Sequence, residues 1–246
     1  MAKTRLDVAL VERGLAETRA AAQRMVMAGL VFSGERRLDK PGHPVAADAA
    51  LEVRGQPHPY VSRGGLKLEK ALDHFAIPVA GRTALDVGAS TGGFTDCLLQ
   101  RGAAKVYAID VGTNQLAWKL RTDPRVVSME KTNIRGLTRE QVPEPFDLIV
   151  CDASFIGLRT ALPTALALAA PGAHLVALIK PQFEVGKGRV GKGGIVRDPA
   201  LHAEVCATIS EWLAAQPDWR VLGVTDSPIE GAEGNKEFLI AAYLSS

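Results

Sequence analysis

The pattern of apolar and polar positions divides the chain into two parts. In the first part, apolar positions at helical spacing predict two short helices that end at Gly14 and Gly29, because glycine is favoured at the left-handed position after a helix. Two short apolar runs, residues 30–32 and 51–53, are typical of strands. The pattern therefore predicts a small α+β domain over residues 1–55.

The second part begins near Tyr60, where apolar runs of strand length alternate with helical stretches. Such runs are typical of a parallel sheet that is covered on both faces. The last two, residues 220–226 and 237–244, are joined by a loop alone, which predicts an antiparallel hairpin at one edge. The other predicted strands are residues 83–87, 105–111, 125–129, 146–151 and 174–180, and the main helices are residues 94–101, 158–170 and 199–216. We predict an α/β fold: a Rossmann-like, doubly wound, mostly parallel seven-stranded sheet with an antiparallel edge strand.

Length and composition limit the classes of protein that fit this pattern. A chain of 246 residues can hold a small domain and a medium one. We place a proline-stiffened linker at residues 56–61 and the second domain at residues 62–246. No apolar run approaches the ~20 residues that span a bilayer, and no signal-peptide core is present. Three widely spaced cysteines fit neither disulfides nor a zinc site. We expect a cytoplasmic monomer without a bound metal or a membrane partner.

A glycine-rich segment at residues 85–94 follows the first predicted strand of the large domain and begins a helix. Ligands of open α/β sheets bind at this end of the strands. A dinucleotide fingerprint would need glycine where Ser90 stands, and a nucleoside-triphosphate loop would need Gly-Lys-Ser/Thr after the turn. Asp86 suits the cationic methionine portion of S-adenosyl-L-methionine, and Asp110 can accept ribose hydroxyls. A tight turn without a ligand is the alternative to this methyl-donor site.

The predicted cofactor-binding residues lie on this turn and at the ends of the neighbouring strands. They are Asp86, Gly88, Ala89, Ser90, Thr91, Gly92, Gly93, Phe94, Asp110, Val111, Asn133 and Asp152.

Four charged residues lie on or next to apolar segments, where burying a charge costs free energy unless the charge is paired or serves a function. Lys67 lies on the predicted helix before the first strand of the sheet, Asp152 and Lys180 end two strands, and Glu237 begins the last strand. A doubly wound sheet gathers its active site at such strand ends. Two ordinary ion pairs are the alternative, but the set of four indicates a catalytic centre.

The whole chain resembles the TlyA-type family, also called the haemolysin A family. Its members combine an S-four RNA-binding domain with an FtsJ-like ribose 2′-O-methyltransferase domain. The resemblance rests on residues 5–7, 14–15, 18–19, 29–31 and 40–41 of the small domain, and on residues 61–68, 86–94, 152–155 and 180–188 of the large domain. The family's Lys-Asp-Lys-Glu tetrad falls on Lys67, Asp152, Lys180 and Glu237 without a gap.

The resemblance implies methyl transfer from S-adenosyl-L-methionine to the 2′-hydroxyl of a cytidine in ribosomal RNA within a ribosomal subunit. Because family members with short termini, as here, tend to modify only the large subunit, the resemblance also implies the large subunit as the target. Lys180 would orient the hydroxyl and help to remove its proton, Lys67 would hold the target nucleotide, and Glu237 would fix the lysines. Because Asp152 and Glu237 favour the charged form of a lysine, we expect Lys180 to act as an orienting cation more than as a free base. Asp152 would also face the methionine end of the donor.

RNA contacts have to be local, because a net charge of +2 gives no global basic field. With the resemblance, the arginines of the small domain and the Gly/Lys-rich loop at residues 186–197 predict these contacts. A solvated helical face is the alternative for the arginines. The predicted RNA-binding residues are Arg5, Arg19, Arg24, Arg63, Lys187 and Arg189. The 2′-hydroxyl itself selects RNA over DNA.

Two other functions stay open from the sequence. A non-catalytic RNA-binding factor in ribosome assembly would keep the same fold, and binding of the methyl donor would distinguish it from an enzyme. A membrane-lytic haemolysin is the second, and the absence of a long apolar segment counts against it.

Overall fold

The computed structural model describes residues 3–16, 18–54, 58–186, 188–231 and 234–245. The chain divides into two compact units, residues 1–63 and residues 64–246. The predicted division into residues 1–55, a linker at 56–61 and residues 62–246 stays a prediction, since residues 55–57 lie outside the described part.

The small unit contains two helices and two small antiparallel sheets. Its elements are β1 (Lys3–Arg5), α1 (Leu6–Glu12), α2 (Arg19–Met27), β2 (Val31–Ser33), β3 (Arg36–Arg37), β4 (Pro44–Ala46) and β5 (Glu52–Val53). β1 pairs with β4, and β2 lies between β3 and β5. As predicted, Gly14 and Gly29 follow the two helices with positive φ. The Thr18 side chain caps α2 by accepting a hydrogen bond from the backbone N of Ala21.

The core of the small unit lies between the two helices and the first strand that follows them. Leu6 and Leu10 of α1, Ala22 and Val26 of α2, and Val31 of β2 are fully buried in one cluster.

The large unit is built on one sheet. Its helices are α3 (Gly64–His74), α4 (Gly93–Gln100), α5 (Trp118–Arg121), α6 (Leu158–Ala167), α7 (Pro181–Glu184) and α8 (Pro199–Ala214). Its strands are β6 (Thr83–Val87), β7 (Lys105–Ile109), β8 (Val126–Met129), β9 (Phe146–Cys151), β10 (Ala169–Ile179), β11 (Trp219–Asp226) and β12 (Phe238–Leu244). Several predicted bounds are wrong by two residues or more: β7 and α8 each end two residues before the predicted position, and α6 ends three residues before it. β10 begins five residues before the predicted position, with a register shift before His174.

The strand order is β11-β12-β10-β9-β6-β7-β8, and β6 to β10 run parallel. β12 is antiparallel to both β10 and β11, which confirms the predicted antiparallel hairpin at one edge. The reversed strand is thus one position in from the edge. Its amino end, Phe238, pairs with Ile179 at the carboxyl end of β10.

Helices cover both faces of this sheet. Alternate strand residues such as Leu85 and Ile149 pack with α6 and α8 in one core cluster. Their neighbours Ala84, Leu148 and Val176 point to the other face and are equally buried, where α3 contacts β10 and β12, and α4 contacts β6 and β7. Burial on both faces explains why these strands are almost continuously apolar. Within the described residues, no helix has the length and apolar character needed to cross a membrane.

Candidate active site

The glycine-rich turn between β6 and α4 brings the backbone of two loops close together. Gly88 has φ +83°, and a Cβ there would lie 3.0 Å from the Cα of Ala153 in the loop after β9. Gly92 has φ +98°, and its Cβ would lie 2.3 Å from the Leu120 side chain. Glycine is therefore required at both positions for conformation and for space. Ser90, also at positive φ, completes the turn.

Asp110 follows β7 and ties the glycine-rich turn to the loop after β7. Its Oδ2 accepts a hydrogen bond of 2.8 Å from the backbone N of Ser90, and its Oδ1 accepts one of 2.7 Å from the backbone N of Gly112. A carboxylate has about four acceptor positions, so two remain for hydroxyl donors. Asp110 is thus held rigidly and can still bind a ribose.

A cleft of about 500 Å³ opens beside this turn, within the range of small-molecule sites. Six of the predicted cofactor residues line it: Gly88, Ser90, Asp110, Val111, Asn133 and Asp152. Ala89, Thr91 and Gly92 belong to the turn itself, Gly93 begins α4, and Phe94 is buried in α4. Gln115, Thr132, Ser154 and Phe155 also line the cleft and were missed from the sequence.

Asp86 lies behind the turn and is not among the residues that line the cleft. It is fully buried, and its Oδ2 accepts a hydrogen bond of 2.7 Å from the Thr95 hydroxyl. Its Oδ1 is buried without a hydrogen-bond partner in the described part of the chain. Burial raises the pKa of this carboxyl to about 7, and the nearby charge of Asp152 adds to the rise. Direct contact between Asp86 and a cofactor stays a prediction.

We expect Asp86→Asn to remove a pH dependence of folding stability. The pKa of Asp86 is about 7 in the folded state and ~3.9 in an unfolded chain, so between these values only the folded state holds the proton. The free energy of unfolding should therefore fall as pH rises through this window, by at most about 4 kcal/mol. Denaturant unfolding at roughly pH 5 and pH 7 measures the change, and an equal pH dependence in Asp86→Asn would contradict this assignment.

The four predicted catalytic residues meet at the carboxyl end of the central strands. Asp152 follows β9 and Lys180 follows β10. Because β12 is antiparallel, its beginning lies at the same end of the sheet, which brings Glu237 beside them. Lys67 comes from the first half of α3. We call these four residues the tetrad.

The tetrad forms a continuous chain of opposite charges. Lys67 Nζ lies 2.6 Å from Glu237 Oε2 and 3.8 Å from Asp152 Oδ2. Lys180 Nζ lies 2.6 Å from Asp152 Oδ1. Lys67, Lys180 and Glu237 are buried, and the Asp152 side chain is 20% exposed. Two cations and two carboxylates balance, which offsets the cost of removing them from water.

The ammonium of Lys180 is surrounded by oxygen atoms. Besides the Asp152 carboxylate, Ser154 Oγ lies 3.0 Å and the Asp152 carbonyl oxygen 3.4 Å from Nζ. A lysine ammonium has three N–H donors: here it donates to Ser154 Oγ and to the Asp152 carbonyl oxygen, and the Asp152 carboxylate adds an ion pair. The longest and weakest contact, to the Asp152 carbonyl oxygen, is the one that a substrate hydroxyl can replace at least cost.

Two further residues support this centre and were not predicted. Ser154 belongs to the loop that follows Asp152, and its residue type alone gave no sign of a contact with Lys180. Asn235 is buried two residues before Glu237. Its Oδ1 accepts a hydrogen bond from the backbone N of Val196, and its Nδ2 donates one to the Gly194 carbonyl oxygen. Asn235 thus ties the end of the Gly/Lys-rich loop to the segment that carries Glu237.

Of the predicted RNA-binding residues in the large unit, Arg189 is paired within the protein. Both ends of its guanidinium contact the Glu204 carboxylate, at 2.5 and 2.6 Å. An RNA phosphate would have to compete with this bidentate pair. Lys187 lies outside the described residues.

In the small unit, a buried carboxylate organises two of the predicted RNA-binding arginines. Asp7 accepts hydrogen bonds from Arg5 at 3.0 Å, from Arg19 at 2.9 Å and from Gln23 at 2.8 Å. The Arg5 hydrogen bond, followed by Gln23 and Arg19, holds the pKa of Asp7 well below its usual range. Both arginine side chains remain more than half exposed. The Asp7 carboxylate thus orients two guanidinium groups at the surface, and the group of three charges keeps a net positive charge.

The last two predicted RNA-binding residues, Arg24 of α2 and Arg63, are both exposed. Exposure makes them accessible to RNA, and their contacts with it stay a prediction.

Comparison with known proteins assigns the chain to a family. The FtsJ-like methyltransferase family matches residues 60–244, and the S4 domain matches residues 4–50. YqxC of Bacillus subtilis, provisionally named an rRNA methyltransferase, is 54% identical over 97% of this chain and 85% of its own length. The 16S/23S rRNA (cytidine-2′-O)-methyltransferase TlyA of Mycobacterium tuberculosis is 49% identical over 97% of this chain and 89% of its own. A solved structure from Streptococcus thermophilus, provisionally named a hemolysin, is 45% identical with a TM-score of 0.77 and covers 100% of this chain and 90% of that one. The chain therefore belongs to the TlyA-type family of FtsJ-like methyltransferases that carry an S4 domain.

Proposed function

We propose that this protein transfers a methyl group from S-adenosyl-L-methionine to the 2′-hydroxyl of a cytidine ribose in ribosomal RNA. The observation that carries the proposal is the tetrad, whose Lys180 ammonium lies beside Asp152 and Ser154 on the wall of the cleft. The identity to relatives named for this reaction supports the substrate. Incubating the purified protein with labelled donor and unmodified ribosomal subunits tests it: label should appear in 2′-O-methylcytidine after nuclease digestion, and label only in bases would contradict it.

The residues of the cleft fit the proposed methyl donor. Gly88 leaves room where a Cβ would meet the backbone of the facing loop, and Asp110 offers free acceptor positions. We propose that Asp110 holds the ribose of the donor, that Val111 and Asn133 contact its base, and that Asp152 faces its methionine end. The donor supplies an activated methyl group, for which in-line attack by a hydroxyl demands close alignment.

The tetrad supplies that alignment in this proposal. Lys180 donates a hydrogen bond to the 2′-oxygen and stabilises the negative charge that develops on it. Asp152 orients Lys180 through their ion pair of 2.6 Å. As the 2′-oxygen bonds to the methyl group and the bond from that group to the donor's sulfur breaks, the hydroxyl proton passes late to Lys180, which releases one of its own protons to the Asp152 carboxylate. Lys67, held by Glu237 at 2.6 Å, binds the target nucleotide or its phosphate. The paired lysines thus bind and orient, and neither has to become neutral before the substrate arrives.

Asp110→Ala should weaken donor binding by roughly 1.5–3 kcal/mol, the range for hydrogen bonds to charged groups. Calorimetry with S-adenosyl-L-methionine measures this loss, with NAD as the negative control. Asp123→Ala is the matched control, because Asp123 also accepts a hydrogen bond from a backbone N–H, that of Arg125 at 2.9 Å. This variant should bind the donor normally. Binding of NAD without a response to the methyl donor would contradict the cofactor proposal.

We further propose that the protein acts as a monomer on RNA within a ribosomal subunit, in the cytoplasm, where these subunits are found. The expected restriction to the large subunit stays a prediction, because the Mycobacterium tuberculosis relative is named for both 16S and 23S rRNA. Methylation of separated small and large subunits by the same enzyme preparation distinguishes the two cases.

Removing residues 1–55 should leave donor binding intact and abolish methylation of ribosomal subunits. In this proposal the small unit delivers RNA through arginines such as Arg5 and Arg19 and takes no part in the chemistry. The logarithm of the association constant of the full chain for ribosomal subunits should fall linearly with the logarithm of the salt concentration, because phosphates that bind the protein release their counterions. Methylation at the full rate by the truncated protein would show that the small unit has another role.

A further inference from the structure

Glu184, at the end of α7, supplies a helix cap that the local sequence does not provide. Its Oε1 accepts a hydrogen bond of 2.7 Å from the backbone N of Leu158, the first residue of α6. The N-cap position of α6 is Gly157, which has no side chain to bind the free amides of the first turn. The carboxylate of Glu184, 26 residues along the chain, takes that role.

The glycine at position 157 leaves room for the Glu184 carboxylate. Its φ of −76° is one that any residue adopts, but a Cβ there would lie 2.9 Å from Glu184 Oε2. The carboxylate therefore occupies the volume of the absent side chain. Burial raises the pKa of Glu184, as expected for an acid that is withdrawn from water for this contact.

The segment that Glu184 fastens is the 152–157 loop, which begins with the tetrad's Asp152. Residues 152–156 line the cleft. At its start the loop contacts Lys180 through Asp152 and Ser154. In its middle, the rings of Phe155 and Phe183 lie 5.4 Å apart. Glu184 completes this row of contacts at the far end of the loop.

The loop needs such fastening because its backbone is strained. Phe155 has φ +65°, an uncommon conformation for a residue with a bulky side chain, and its side chain is 91% exposed. A strained residue keeps its conformation only when surrounding contacts hold it. Without the Glu184 contact, the loop would be held by Asp152 and by the Phe155–Phe183 ring contact alone, and Ser154 could move relative to Lys180.

We propose that Glu184 is a positioning residue for methyl transfer, which holds the 152–157 loop against α7 and so keeps Asp152 and Ser154 in place around Lys180. The inference rests on the proposed function. It predicts a loss of rate at saturating substrates with little loss of donor affinity, because a misplacement of about 1 Å is enough to slow an aligned reaction by up to ~10²-fold.

The test compares single-turnover methylation by the full-length protein and three variants. Glu184→Ala should be slower by about tenfold or more, with donor affinity within about twofold of the parent. Glu184→Gln keeps the acceptor oxygen and should stay within about threefold. Asp147→Ala is the matched control, because the Asp147 carboxylate accepts a hydrogen bond of 2.9 Å from the backbone N of Thr83 at the opposite end of the sheet. This variant should lower the melting temperature without slowing turnover.

A variant at Gly157 and a second measurement make the outcome independent of changes to the Glu184 side chain itself. Gly157→Ala should displace the carboxylate and reproduce the slow rate, and amide exchange in residues 152–158 should accelerate in both slow variants. If Glu184→Ala did not fold, Gly157→Ala and Glu184→Gln would decide. If the parent were active and Glu184→Ala or Gly157→Ala were equally active, the inference about Glu184 would be overturned and the proposed function would stand. An inactive parent would overturn the proposed function and the inference with it.

Discussion

Lys180→Arg is expected to lower the methylation rate by at least ~10²-fold, the low end for general acid–base catalysis, while the protein stays folded. Lys180 Nζ lies 2.6 Å from Asp152 Oδ1 and 3.0 Å from Ser154 Oγ in a site built around a compact ammonium. Arginine keeps the charge, but it spreads that charge over a rigid planar group and does not give up a proton in this pH range. Both the alignment of the hydroxyl and the late proton transfer should suffer.

The methylation rate and the melting temperature are measured on the same preparation of each protein. Lys105→Arg is the matched control, because Lys105 forms an ion pair of 2.6 Å with Glu144 at the amino end of the sheet, and should keep full turnover. If Lys180 were a structural ion pair only, Lys180→Arg would lower the melting temperature and leave the turnover of the folded protein near normal. Turnover within a few-fold of the parent would show that the tetrad is wrongly assigned.

Glu237→Ala is expected to cost both stability and activity. Glu237 is 3% exposed and contacts Lys67 at 2.6 Å, so its removal leaves a buried ammonium whose nearest carboxylate is Asp152 at 3.8 Å. Breaking a buried ion pair costs ~3–5 kcal/mol, and we expect the lower end of this range because Asp152 compensates in part. Chemical denaturation measures the loss.

A double variant separates the two effects. Replacing Lys67 and Glu237 together by methionine removes both charges at similar volume, a change that is often neutral or stabilising. We expect Lys67→Met with Glu237→Met to regain most of the lost stability and none of the lost methylation. Recovery of methylation with stability would mean that the pair serves the fold and does not bind the target nucleotide.

The fold of the large unit could be predicted because its strands are buried on both faces. The predicted β6 and β9 have the bounds of the structure, since a continuous apolar run has to lie inside. In the small unit, β1 and β4 were not predicted. They are three-residue strands, Lys-Thr-Arg and Pro-Val-Ala, and neither shows an apolar run or a clear alternation.

The members of the tetrad could be predicted, and so could the position of Lys180 beside Asp152. The pairing of Lys67 with Glu237, 170 residues away, could not. That pairing follows from the reversal of β12, which brings the start of the last strand to the carboxyl end of β10. The sequence also shows which basic residues are present, but it does not show which of them form ion pairs within the protein. Arg189, which pairs with Glu204 of α8, is an example.

The most direct test of the central claim maps methylated riboses in ribosomes from three strains: the parent, a strain without the gene, and that strain carrying Lys180→Arg. Mass spectrometry of nuclease fragments should find at least one 2′-O-methylcytidine that is present in the parent and absent from both other strains. Restoration of that methyl group by Lys180→Arg, or an unchanged set of methylated riboses in the strain without the gene, would contradict the claim.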